Sequence, residues 1–124
     1  CTGMIWGAVN FMPHECVKLF NLIEEKKYQD ATDLWKLMEP VCLWLGGNRH
    51  DVDYLTGIKA AANLSGREMG PPRKPLPNVV APARHDLRIA MSKLPINHTT
   101  NNRLVWRDWQ EEKDWLIQSS IKRN

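Results

Sequence analysis

The run Gly3-Met4-Ile5-Trp6-Gly7-Ala8-Val9 is short, apolar and bounded by glycine and asparagine. Such a run reads as a fully buried strand of the kind that fills parallel sheets. No other segment of the chain reads so. A lone strand cannot satisfy its own ladder of N–H and C=O groups, so this one needs neighbours that the remaining residues do not supply. The chain opens Cys1-Thr2-Gly3, without an initiator methionine and without the charged and apolar regions of a signal peptide. The expectation is a fragment of a longer protein, starting inside structure.

Everything after the run reads as helix or connection. Pro13 stands where a first-turn proline is tolerated. Behind it Cys16, Leu19, Phe20 and Ile23 fall at i, i+3, i+4, i+7, one face of a helix, which runs out in Glu24-Glu25-Lys26-Lys27. A second helix is predicted from about residue 29, with Ala31, Leu34, Trp35 and Met38 in register and Cys42 and Leu45 extending the stripe. Pro40 should kink or divide it, and Gly46-Gly47-Asn48 should stop it. A third helix is predicted over about residues 51–64, with Asp51 as N-cap and Gly66 just past its end. Gly57 and Ala60-Ala61-Ala62 leave room there for a close neighbour.

Four prolines crowd Gly70-Pro71-Pro72-Arg73-Lys74-Pro75-Leu76-Pro77, which forbids helix and predicts an extended segment. A fourth helix is predicted over about residues 82–94, with Leu87, Ala90, Met91 and Leu94 on one side. Residues 95–102 read as a loop. A fifth, weaker helix over about residues 104–122 carries Trp106, Trp109 and Trp115, its apolar face interrupted at 110–114.

Composition excludes more than it identifies. With 43% apolar and 25% charged residues, the 124 residues have the balance of a globular domain. No apolar run approaches the ~18 residues of a membrane span. A net charge of +3, evenly spread, argues for no nucleic-acid partner. Three cysteines at wide spacing, Cys1, Cys16 and Cys42, make neither a disulfide framework nor a metal knuckle and fit a reducing compartment. The histidines His14, His50, His85 and His98 are scattered and form no metal-ligand pair. Asn63-Leu64-Ser65 and Asn97-His98-Thr99 match glycosylation sequons but lack a secretory context.

Taken in order, these segments resemble the dihydrodipicolinate synthase / N-acetylneuraminate lyase family. Gly3-Met4-Ile5-Trp6-Gly7-Ala8-Val9-Asn10 is similar to that family's eighth strand, which carries a Gly-x-Ile-Ser-x-x-x-Asn type pattern. The helix behind it, the helix with Asp30, Ala31 and Leu34, the Gly57-Ile58-Lys59-Ala60-Ala61 helix and the proline segment at 70–77 follow in the family's order. The resemblance covers roughly residues 1–95. It rests on motifs in sequence rather than on one decisive motif, and the tail beyond Leu94 is longer than the family pattern.

The resemblance implies an α/β fold: the last strand and helix of a (β/α)8 TIM barrel plus C-terminal helices, mostly α-helical as the chain stands. Residues 1–27 would be the last βα unit, 28–95 the helical appendage and 96–124 a tryptophan-rich tail to which the family assigns no role. It implies a cytoplasmic Schiff-base aldolase or lyase, usually a homotetramer, that takes a small 2-keto acid such as pyruvate and needs no cofactor and no metal. The Schiff-base lysine of the sixth strand and the tyrosine of the fifth would lie upstream, so no catalytic residue falls in this chain, and alone it would be inactive. Gly57-Ile58-Lys59 matches the Schiff-base triplet in letters only: it follows the eighth strand and lies in a helical pattern. Tyr28 and Tyr54 also fall on helices.

The resemblance places substrate contacts at Ile5, Trp6 and Asn63. Ile5 would line the pyruvate pocket at the barrel mouth, or serve as a core isoleucine. Trp6 stands where the family commonly has serine or another small residue, and would narrow the pocket or pack under outer helices. Asn10 should hold the strand-to-helix turn through its side chain. Trp6 and Asn63 together are similar to the hydratase-aldolases that cleave substituted benzylidenepyruvates to an aromatic aldehyde and pyruvate. Dihydrodipicolinate synthase-type condensation and a non-catalytic helical assembly module remain the alternatives.

Overall fold

The computed structural model describes residues 2–46, 51–95 and 114–122. Its main elements are a 3-10 turn, Gly7–Asn10, and four helices: α1 (Pro13–Glu24), α2 (Tyr28–Leu45), α3 (Tyr54–Leu64) and α4 (Ala81–Ser92). A further helical segment covers residues 114–122. Cys1, His50, the loop at 96–102 with His98 and its sequon, and Trp106 and Trp109 of the tail lie outside the described residues.

The chain is mostly helical, and no strand is formed among the described residues. This corrects the reading of the first apolar run. Residues 2–6 lie outside helix and turn, and Trp6 is extended at φ −150° and ψ 128°, but the backbone then coils into the 3-10 turn at Gly7. The physical reason is the one the sequence foreshadows: with no adjacent strand, a ladder has nothing to pair with. The Val9 N–H instead donates to Trp6 O at 3.2 Å, and the Phe11 and Met12 N–H groups both donate to Ala8 O.

α1 begins with Pro13 in its first turn, and packs along α2, which in turn carries α3 and α4. α2 runs unbroken through Pro40, so the proline does not divide it. Pro40 frees the carbonyl of Lys36, and Lys36 is exposed, where water can take that carbonyl. The N-cap of α3 is Asp53, not Asp51: its Oδ1 accepts the N–H groups of Leu55 at 3.0 Å and Thr56 at 3.2 Å. The proline segment is extended except for a tight turn closed by Leu76 N–H on Arg73 O at 3.1 Å.

One core joins these elements. Ala8, Phe11, Met12 and Cys16 from the first segment meet Leu34, Met38, Val41, Trp44 and Leu45 of α2, Ile58, Ala61, Ala62 and Leu64 of α3, and Leu87, Ala90, Met91 and Leu94 around α4. The stripe on α1 fades toward its end: Cys16 is buried, Leu19 and Phe20 are half-buried and Ile23 is exposed. On α2 the buried face is shifted from the predicted stripe: Val41 and Trp44 are inside, whereas Trp35 is exposed and Cys42 half-buried, because α3 and α4 cover the side that Val41 and Trp44 share. The Trp44 indole N–H donates to Ala83 O at 2.8 Å and ties α2 to α4. Gly57 sits where α3 meets α2: a Cβ there would stand 3.0 Å from both Leu45 Cδ2 and Trp44 Cζ3.

Candidate functional site

The residues that the resemblance marks for substrate contact fall at two places. Ile5 and Trp6 lie on the segment leading into the 3-10 turn, and Asn63 lies at the end of α3. Ile5 projects into solvent and is fully exposed. Trp6 is half-buried and packs beside the core, its ring tilted 34° to that of Trp35 on α2 with centroids 6.2 Å apart. Such a tilted aromatic pair adds about 0.5–1.5 kcal/mol beyond area burial.

The turn itself is fixed from within and from below. Asn10 Nδ2 donates to Gly7 O at 2.9 Å, the local backbone bond expected of an asparagine in a turn. Beneath it, Gly7 rests on α3. A Cβ at Gly7 would stand 2.5 Å from Tyr54 Oη and 2.6 Å from Ile58 Cδ1, so a larger residue fits only if these two side-chain tips shift. Arg67, just past α3, donates to Asn10 O at 3.4 Å.

Asn63 is engaged with backbone. Its Oδ1 accepts the Met69 N–H at 2.8 Å, and its Nδ2 donates to Gly70 O at 3.4 Å. One turn earlier on the same helix, Lys59 Nζ donates to Pro71 O at 3.2 Å. Residues 59 and 63, at i and i+4, thus hold the start of the proline segment against α3. A hydrogen bond of this kind is worth about 0.5–1.5 kcal/mol net. The Asn63 amide retains one N–H and one lone pair for a further partner. Lys59 lies in mid-helix, as its Ala-rich context predicts.

Two features were invisible to the sequence reading. Trp35, counted there with the apolar stripe of α2, is the aromatic partner of Trp6, a pairing that no local periodicity encodes. Glu15, in the first turn of α1, is buried. The cysteines Cys16 and Cys42 are both free. Burial, reinforced by Cys42 and Glu15, pushes the Cys16 thiol up to about 11. Burial, reinforced by Glu39, pushes the Cys42 thiol up to about 11 as well. Thiols in that state are poor nucleophiles near neutral pH.

Hollows in the surface lie apart from these residues. A groove of about 280 Å³ runs between α2 and α4, lined by Pro40, Leu43, Trp44, Asp86, Ile89, Ala90 and Lys93. A more open one of about 510 Å³ lies along α1, from Pro13 to Glu25. Neither includes Ile5, Trp6 or Asn63. Among the described residues, no three His, Cys, Asp or Glu side chains are grouped to hold a metal ion, and no helix is long and apolar enough to cross a membrane. No family model, no curated protein and no solved structure matches the chain.

Proposed function

We propose that the chain is the C-terminal part of a Schiff-base, pyruvate-dependent aldolase or lyase of the dihydrodipicolinate synthase / N-acetylneuraminate lyase family. In the full-length protein residues 3–9 complete the barrel as its last strand. The observation that carries this reading is the exposed stretch before the 3-10 turn: Met4 and Ile5 present apolar side chains to water, and the turn then leads into α1. A segment of that composition gains most by entering a sheet, where burial of an isoleucine is worth roughly 1.5–3 kcal/mol. The substrate is a 2-keto acid held as an imine on a lysine that lies outside this chain. That lysine needs a pKa lowered by burial or by a neighbouring cation to act as the nucleophile. Trp6, at the edge of the core, forms an aromatic wall for the part of the substrate remote from the imine, which favours a substituted benzylidenepyruvate. The homotetramer usual in the family is the assembly expected.

The test is pyruvate trapping by borohydride in the full-length protein. The expected result is a reduced adduct on a lysine outside residues 1–124. Trp6→Ala should leave trapping intact and lower kcat/KM for the aromatic 2-keto acid about tenfold, equivalent to ~1.4 kcal/mol. No adduct, or an adduct on Lys59, overturns the Schiff-base reading. Trapping that persists while Trp6→Ala cleaves the aromatic substrate at the parent rate favours dihydrodipicolinate synthase-type condensation instead.

A further inference from the structure

We draw no further inference here: the strongest candidate, the apolar groove between α2 and α4 floored by Leu43, Trp44, Ile89 and Ala90, is open to solvent and nothing in the structure shows what covers it.

Discussion

Lys26 occupies after α1 the position that Gly66 occupies after α3. Both lie in the left-handed region, Lys26 at φ 58° and Gly66 at φ 85°, and both close the same pattern of bonds. After α1, Lys26 N–H bonds Ile23 O at 3.0 Å and Lys27 N–H bonds Leu22 O at 2.8 Å. After α3, Gly66 N–H bonds Asn63 O at 3.1 Å and Arg67 N–H bonds Ala62 O at 2.9 Å. This is the Schellman closure, in which glycine is the usual left-handed residue.

An L-residue in that conformation costs roughly 1–2 kcal/mol. Glycine returns part of this through the greater freedom of the unfolded chain, about 0.4–1 kcal/mol. Lys26→Gly should therefore stabilise the protein by about 0.5–1 kcal/mol, and Gly66→Ala should destabilise it by about 1 kcal/mol. Urea denaturation reads both. Loss of stability in Lys26→Gly would mean that the lysine side chain contributes more than its backbone strain costs.

The close approach of Gly7 to α3 makes a second prediction. Gly7→Ala brings its methyl against Tyr54 Oη and Ile58 Cδ1, side-chain tips that must shift to admit it, so the cost should stay near the low end of overpacking, about 1 kcal/mol. The clash is shared, so the loss should shrink when Tyr54→Ala and Ile58→Ala are introduced beside it. A double-mutant cycle by chemical denaturation measures this coupling. Strictly additive losses would show that the turn does not rest on α3.

Asn63 has a backbone role that can be separated from any contact with substrate. Asn63→Ala removes the acceptor for Met69 N–H, and amide exchange at Met69 should accelerate, with a stability loss of about 0.5–1.5 kcal/mol. Asn63→Asp keeps an acceptor oxygen and should preserve much of that protection, while losing the donor to Gly70 O. Hydrogen exchange followed residue by residue distinguishes the two. Equal protection at Met69 in the parent and in Asn63→Ala would remove the anchoring role.

The thiols give a pH dependence of known sign. Folding raises both Cys16 and Cys42 from 9.0 to about 11, so the folded state holds these protons more tightly than the unfolded chain does. The stability they contribute is fully present below pH 9 and is lost as pH rises from about 9 to about 11. The loss over that window should be shallower in the Cys16→Ala/Cys42→Ala double variant. Alkylation by iodoacetamide at pH 8, read by peptide mass spectrometry, should be slow at both sites in the folded protein and fast in denaturant. Rapid labelling of folded Cys16 would contradict its burial.

The sequence alone determined the approximate positions of α1 to α4 and the centre of each apolar face. Leu34 and Met38 on α2 and Leu87 and Met91 on α4 are buried as their spacing requires, because a 3.6-residue repeat leaves one consistent face. Gly66 ends α3 because only glycine reaches its conformation without cost. Only the tertiary structure decided the rest. Residues 3–9 carry the composition of a strand, but strand formation needs a second strand, and without one the chain turns at Gly7. Asp51 and Asp53 are equally good caps by residue type; the one that caps is the one whose oxygen meets the first free N–H groups of α3. The pairing of Trp6 with Trp35 joins residues far apart in the chain, and the ties of Asn63 to Met69 and Gly70 depend on how the chain turns after α3. Such contacts depend on the path of the backbone between the partners, which spacing along the sequence does not encode.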